Sequence, residues 1–290
     1  MHATTLKRLS KSIKFALEHK TKKHDIQAGL TYRIENITED SKEYEMRDSS
    51  GYSIPHTGED LYMIYSLKAK NTLDANRLET YIQDTWRFSS KGEHTFFTLN
   101  YGIRFSHWNF NKESIISPRI SLGIVPAFNH DVTMRFATGI YYQAPFYKEL
   151  RDTTTINGIT YATLNNKIKS QRSIHFIAGF DYRFKMKDRP YKFTAEAYYK
   201  ALSNLVPYTV DNVKIVYDAS QQCSGHAMGL DLKLYGEFVP GTDSWVSLSL
   251  MNTRININGK SIPLPTDQKI FVKSILYRLL PWNRQMADVT

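Results

Sequence analysis

From Phe97 to Phe105 every second residue is apolar or aromatic: Phe97, Leu99, Tyr101, Ile103 and Phe105 alternate with Thr98, Asn100, Gly102 and Arg104. Period two predicts an extended strand with one apolar and one polar face. The pattern recurs along the chain. Ile26, Ala28, Leu30, Tyr32 and Ile34 form one row, and Val132, Met134, Phe136, Thr138, Ile140 and Tyr142 another. A third runs Ile174, Phe176, Ala178, Phe180, Tyr182, Phe184, with His175, Asp181, Arg183 and Lys185 between. Leu230, Leu232 and Leu234 alternate with Asp231, Lys233 and Tyr235, and Val246, Leu248 and Leu250 alternate with serines. About eleven such segments can be counted, and no segment reads as an amphipathic helix longer than a few turns.

Length sharpens the reading. Soluble strands run to about five or six residues, whereas several of these keep their alternation for about ten or more. At roughly 3.3 Å per residue they cover about 33–40 Å, which when tilted suits a hydrocarbon layer about 30 Å thick. Tight connections are expected around residues 20–24, 90–92, 129–131, 187–190 and 240–243. Longer polar ones are expected around 43–76, 110–115, 145–168, 204–223 and 257–266, alternating with the first set. Short turns on one side and long loops on the other mark an outer-membrane barrel. The expected fold is therefore all-β, an antiparallel transmembrane barrel. Phe97, Leu99, Tyr101, Ile103 and Phe105 then face lipid, with Phe96 and Trp108 near the interfaces, and Arg104 faces a polar interior. The competing readings are a soluble all-β binding module with that row packed in a dry core, and a small complete barrel acting as a pore or hydrolase.

Bulk composition does not separate these. Hydrophobic residues make up 41% and the mean hydropathy is -0.44, but alternation hides a membrane strand from any average. The 19 Tyr and 15 Phe fit a membrane barrel better. The formal charge of +10 sits at the ends. Residues 1–23 carry Lys7, Arg8, Lys11, Lys14, Lys20, Lys22 and Lys23 against Glu18 alone, and residues 254–290 are also basic. A neutral middle offers no basic groove, so no nucleic-acid partner is expected. Cys223 is the only cysteine, which excludes an intrachain disulfide. The basic stretch MHATTLKRLSKSIKFALEHK has no continuous apolar core of the secretory kind.

No catalytic, metal or cofactor site is expected. His226 lies three residues from Cys223 without a second ligand pair. Asn258-Gly259-Lys260-Ser261 lacks the earlier glycine of a phosphate loop and reads as a turn. Ser106 and His107 point to opposite faces of one strand, and His175 and Asp181 lie about 20 Å apart along theirs.

Residues 116–150, ISPRISLGIVPAFNHDVTMRFATGIYYQAPFYKEL, carry Ser117, Pro118 and Arg119 on one strand and end in Pro145, Phe146, Glu149 and Leu150. This resembles TonB-dependent receptors, which often join a Ser-Pro-Arg strand by a turn to a strand with a Pro-aromatic-x-x-Glu-Leu exit. The aromatic YYQAPFYKELRD form is similar to receptors of the Bacteroidota group, with Gln143 where many members have Arg. Downstream, AEAYYKALSNLVPY (195–208) resembles a strand leaving the barrel at an Asn-Leu corner. SGHAMGLDLKL, with Gly225, Ala227, Gly229 and Asp231, resembles the Gly-x-Ala-x-Gly-x-acid strand of the same barrels.

The resemblance implies a large plugged barrel in the outer membrane. It implies uptake of a scarce, bulky nutrient such as a metal chelate, corrinoid or glycan, and drive from an inner-membrane TonB complex through a plug domain. Neither a plug nor a coupling motif is read in these residues. The expectation is one partial barrel domain over 1–290, part of a longer receptor, with clear strands over 24–270 and an atypical tail at 271–290. Arg104, Arg135, Asp181, Arg183, Asp231 and Lys233 are expected to face the lumen. Tyr141, Phe146, Arg151, Tyr161 and Tyr208 are the candidates for lining an outer entrance to the ligand. Expected partners are outer-membrane lipid, the TonB complex and a small-molecule nutrient.

Overall fold

The structure, a computed structural model, describes residues 2–47, 62–90, 92, 94–211, 214–239, 242–264 and 267–277. Alternating apolar residues become strands in almost every segment. The elements are β1 (His2–Lys20), β2 (His24–Arg47), β3 (Tyr62–Ser89), β4 (Phe96–Trp108), β5 (Glu113–Val125) and β6 (Val132–Gln143). A 3-10 turn (Tyr147–Leu150) leads into the hairpin β7 (Arg151–Ile156) and β8 (Ile159–Leu164). Then come β9 (Gln171–Met186), β10 (Arg189–Leu205), β11 (Tyr208–Asp211), β12 (Lys214–Tyr217) and β13 (Cys223–Gly236). The last three are β14 (Asp243–Ile257), β15 (Lys260–Pro263) and β16 (Ile270–Tyr277).

The wall is a meander in the order β1-β2-β3-β4-β5-β6-β9-β10-β13-β14, with β15 and β16 both on the far edge of β14. All of its wall pairings are antiparallel. Among the described residues β1 pairs with β2 alone and meets neither β14 nor β16, so the sheet is open.

Register carries the apolar row from strand to strand. Ile103 stands between Ile82 and Pro118, and Phe176 between Thr138 and Tyr199. Leu230 stands between Ala197 and Leu250. A second sheet would have buried this face. Instead Ile103 keeps 47% of its surface exposed and Phe176 keeps 53%, so the dry-core reading fails for this row.

The two ends of the wall differ. At the end carrying residues 21–23, 187–188 and 237–239, aromatic rings gather on the apolar face. His24 stacks on Trp86, which meets Phe88, which stacks on Phe97 at 5.0 Å. Further round, Tyr182, Phe184, Tyr191 and Phe238 form a second chain of rings. Aromatic girdles of this kind sit where a barrel meets the membrane interface. At the opposite end β1, β2 and β3 project beyond β4, with β1 and β2 paired to His2 and Glu43 and β2 and β3 as far as Arg47 and Tyr62. The β7–β8 hairpin docks on this projection through a short parallel ladder from Leu67↔Thr160 to Ala69↔Ala162.

Three expectations change. The stretch 43–76 is mostly strand instead of loop, and its residues 48–61 lie outside the described residues. The connection expected over 110–115 is a tight turn at 109–112. Its asparagines close it: the Asn76 N–H donates to Asn109 Oδ1 at 2.7 Å, and Asn111 Nδ2 donates to Glu113 and to the Ile168 carbonyl. Finally, the sheet runs beyond 24–270 at both ends. Ile13, Phe15 and Leu17 of β1 stand opposite Tyr32, Leu30 and Ala28, a row masked in the sequence by interleaved lysines. Residues 270–277 add β16, and 278–290 lie outside the described residues.

The main hydrophobic core is on the polar side of the wall, at the projecting end. Ile37, Leu73, Ala75 and Trp108 from the wall meet Leu150, Ile168, Val206 and Ala219 from the connections. The Glu149-Leu150 exit pair explains itself here. Glu149 Oε2 accepts the Phe146 N–H at 2.8 Å, which closes the 3-10 turn, and Leu150, 1% exposed, plugs the centre of the core.

Candidate functional site

The register that exposes the apolar row places the intervening residues on the opposite face. Arg104, Arg135, Asp181, Arg183, Asp231 and Lys233 all fall on this polar face, but they do not converge on one site. Only Arg135 and Asp181 meet one another. Arg104 Nη2 lies 3.0 Å from Glu79 Oε2 on the neighbouring strand. Arg135 grips Asp181 with two nitrogens, Nη1 at 2.6 Å and Nη2 at 3.4 Å. Asp181 also accepts from the Thr194 hydroxyl at 2.8 Å and lies 3.7 Å from Lys192 Nζ. A glycine makes this fork possible. Gly179 stands opposite Arg135, and a Cβ there would come within 3.2 Å of Nε.

Lys233 Nζ sits 4.6 Å from the ring centres of both Tyr235 and Trp245, a cation over two π faces. Arg183 lines a cavity at the girdled end together with Trp245 and Tyr235. Asp231 stands on β13 between Glu196 and Ser249.

The entrance candidates scatter more. Tyr141 lies near the outer end of β6, with the Arg119 guanidinium 4.3 Å above its ring and His175 stacked at 4.3 Å. Phe146 precedes the 3-10 turn and is exposed. Tyr161 lies on β8, opposite Thr154. Tyr208 on β11 packs against Tyr217 with the rings tilted by 55°, in a two-stranded ribbon separate from the wall. Arg151 alone enters a network, at 3.4 Å from Glu39.

That network was not foreseen. Glu39, 3% exposed on the β2 projection, accepts from Tyr147 Oη at 2.8 Å and from Asn71 Nδ2 at 3.2 Å, beside the Arg151 guanidinium. Burial and the Glu39 bond push the Tyr147 phenol well above its ordinary range. Glu39 thus ties the 144–170 connection across the polar face at its outer end. Beneath that cap lies a polar cavity of about 360 Å³, lined by Arg77, Glu79, Arg104, Trp108, Glu113 and Arg119 among others. Its only sequence signal was parity: each of these is a polar-face position of β3, β4 or β5.

An open antiparallel sheet, apolar and girdled on one face and charged on the other, is the wall of a large transmembrane β-barrel. The chain belongs to the TonB dependent receptor-like, beta-barrel family, whose model matches residues 4–277, and its place is the outer membrane. Among solved structures it is similar to the outer membrane transporter YddB from Escherichia coli (TM-score 0.59, 12% identity, 95% of this chain and 40% of that one). It is also similar to the siderophore receptor PirA from Acinetobacter baumannii (TM-score 0.58, 14% identity, 94% and 40%). The copper transporter OprC is a third (TM-score 0.57, 13% identity, 95% and 41%). The chain therefore spans about two fifths of the length of these structures. No curated protein sequence matches it.

Proposed function

We propose that residues 1–290 form one wall domain of a TonB-dependent receptor that imports a scarce, bulky nutrient: a metal chelate, a corrinoid or a glycan. The observation that carries this reading is the continuous division of faces, apolar outside and charged inside, along strands of a receptor family. In this reading Arg104, Arg135, Asp181, Arg183, Asp231 and Lys233 face the water of the lumen and the plug within it. Arg151 and Tyr147 brace the outer connection through Glu39, and Phe146 and Tyr161 stand at the entrance. Energy comes from an inner-membrane TonB complex acting on the plug. Its role is transport, with no reaction assigned to the wall.

The test is uptake in the source bacterium with and without the gene that contains this chain. Cells are offered a ferric siderophore, cobalamin or an oligosaccharide as the limiting source. Loss of uptake of one of the three, restored by the gene and abolished when the proton gradient is collapsed, is the expected result. Uptake of all three at the wild-type rate in the deletion strain would overturn the proposal.

A further inference from the structure

The apolar face carries charge at only a few places, and their level is informative. On β9 the row Ile174, Phe176, Ala178, Phe180, Tyr182, Phe184 is unbroken. It covers about 33 Å of strand, which at a tilt of about 40° stands about 25 Å tall, the height of a barrel's apolar band. Arg172 is the next residue of that row at the outer end. On β13 the row Leu234, Leu232, Leu230, Met228 ends in His226, and on β14 the row Val246, Leu248, Leu250, Asn252 ends in Arg254.

Register brings these ends side by side. His226 stands directly opposite Arg254, and Ala201 of β10 stands between His226 and Ile174. Arg172 is one step further out, opposite Ser203, and its Nη2 donates to the Ser203 hydroxyl at 3.2 Å. The three basic side chains thus form a shelf across four adjacent strands, about 14 Å wide.

The shelf has no counter-charge on its own face. Among the residues of β6, β9, β10, β13 and β14 that share the apolar face there is no Asp or Glu. The opposite face of the same strands carries both signs, including Asp181, Glu196 and Asp231. Neither Arg172 nor Arg254 forms an ion pair among the described residues. Asp267, beside β14, takes up the Thr253 N–H at 2.8 Å. On β2 and β3 the outer positions of this face differ, with Asp40 opposite Lys70 and Lys42 opposite Lys68. The acid-free shelf is therefore local to β9–β14.

On its membrane side the apolar face holds a groove of about 640 Å³, lined by Phe136, Thr138, Phe176, Ala178, Ala197 and Tyr199. Ala178 stands opposite Ala197, so two methyl groups floor it between larger side chains. Tyr199 joins groove to shelf, stacking on His226 with ring centres 6.4 Å apart. Guanidinium forks match phosphate oxygens, and a basic rim above an apolar groove fits an anionic head group with a hydrocarbon tail.

We infer that this surface binds a phosphate-bearing lipid of the outer leaflet. Arg172, His226 and Arg254 hold the head-group phosphates, and an acyl chain lies in the groove. The inference goes beyond the transport reading and rests only on the apolar face meeting lipid.

The experiment uses the full receptor containing this chain, purified in detergent and stripped of lipid. Diphosphoryl lipid A and the same lipid with its phosphates removed are titrated in, and bound lipid is counted by native mass spectrometry. The expected result is tighter binding of the phosphorylated lipid, with R172Q and R254Q together weakening it about tenfold. R172K and R254K together should recover most of that loss, and R189Q, on the same face at the girdled end, should bind as wild type does. Only receptors that keep the fast mobility of folded barrel on unheated gels are compared. If the double variant fails that check, R254Q alone carries the test with a smaller loss in the same direction. Equal binding of the two lipids by the wild type, or unchanged binding by folded R172Q and R254Q variants, would overturn the site. Displacement of lipid A by millimolar inorganic phosphate would show a site for soluble anions and overturn the lipid assignment. Because lipid binding and not uptake is read, failure here leaves the transport reading standing.

Discussion

Tyr147 donates its phenol to Glu39 at 2.8 Å across 108 positions of sequence. The bond joins the outer connection to the projecting β2–β3 hairpin, and Asn71 and Arg151 approach the same carboxylate. A buried acceptor with several donors is costly to delete, because each donor is left without its partner. Glu39→Ala is expected to destabilise the docked connection by about 3–5 kcal/mol, and Tyr147→Phe by about 1 kcal/mol. Amide exchange across residues 147–164 in the receptor is the measurement. Unchanged protection in Glu39→Ala would show that the connection is held by its apolar contacts alone.

Those apolar contacts have their own test. Leu150 is 1% exposed among Trp108, Ile168, Val206 and Ala219. Leu150→Ala leaves a cavity and should cost about 2–5 kcal/mol, while Leu150→Met should cost less than about 1.5 kcal/mol. Protease cleavage within 144–170 should rise in the first variant and not in the second.

Glu149 gives a pH dependence of unusual sign. Burial raises its pKa above the ordinary carboxylate range, against the lowering pull of the Phe146 N–H and Gln171. A raised folded-state pKa favours the protonated form in the folded turn. The stabilisation is complete below about 4.5, the value for an unfolded glutamate, and is lost as pH climbs through the folded value. Exchange of the 146–151 amides, corrected for intrinsic rates, should therefore be slower at pH 4 than at pH 7. Glu149→Gln should abolish the difference, and an opposite slope would refute the assignment.

How much of this was legible beforehand depends on the range of the signal. The row Phe97, Leu99, Tyr101, Ile103, Phe105 announces its strand because period two is local. The faces of Arg104, Arg135 and Asp181 follow from the same parity. Their partners do not, since pairing Arg104 with Glu79 or Arg135 with Asp181 requires the register between strands. Glu39 meets Asn71 and Tyr147 across 32 and 108 positions, and nothing nearby marks it. The row to Tyr142 places Tyr141 at the outer end of its strand, which holds to Gln143, but its contacts with Arg119 and His175 on neighbouring strands again require the register. The long polar run 43–76 reads as loop because a hairpin that projects beyond the wall loses its apolar row.

The Arg135–Asp181 fork lends itself to a double-mutant cycle. Asp181 is 6% exposed, but the Arg135 side chain is 44% exposed, so solvent screens much of the attraction. The coupling between Arg135→Ala and Asp181→Ala is expected near 1 kcal/mol after that screening. Asp181→Ala alone should exceed it, because Thr194 and Lys192 also lose their acceptor. Urea unfolding of the receptor in bilayers gives all four corners. A coupling near zero would make the pair incidental to the wall.

The division of faces makes the last prediction, and it is the one that bears on every other. Ile103 and Thr98 lie on the same strand, five residues apart and on opposite faces. Lysine on the outer face of a membrane strand costs about 2–4 kcal/mol at the bilayer midplane, and little on a wet lumen face. Ile103→Lys should therefore lower the stability of the receptor in lipid by about that amount, whereas Thr98→Lys should lie within about 1 kcal/mol of wild type. In a soluble sheet the order would differ, since Ile103 is already 47% exposed and lysine there would be nearly neutral. Folding the two variants into bilayers and comparing their urea midpoints decides which solvent the exposed row was made for.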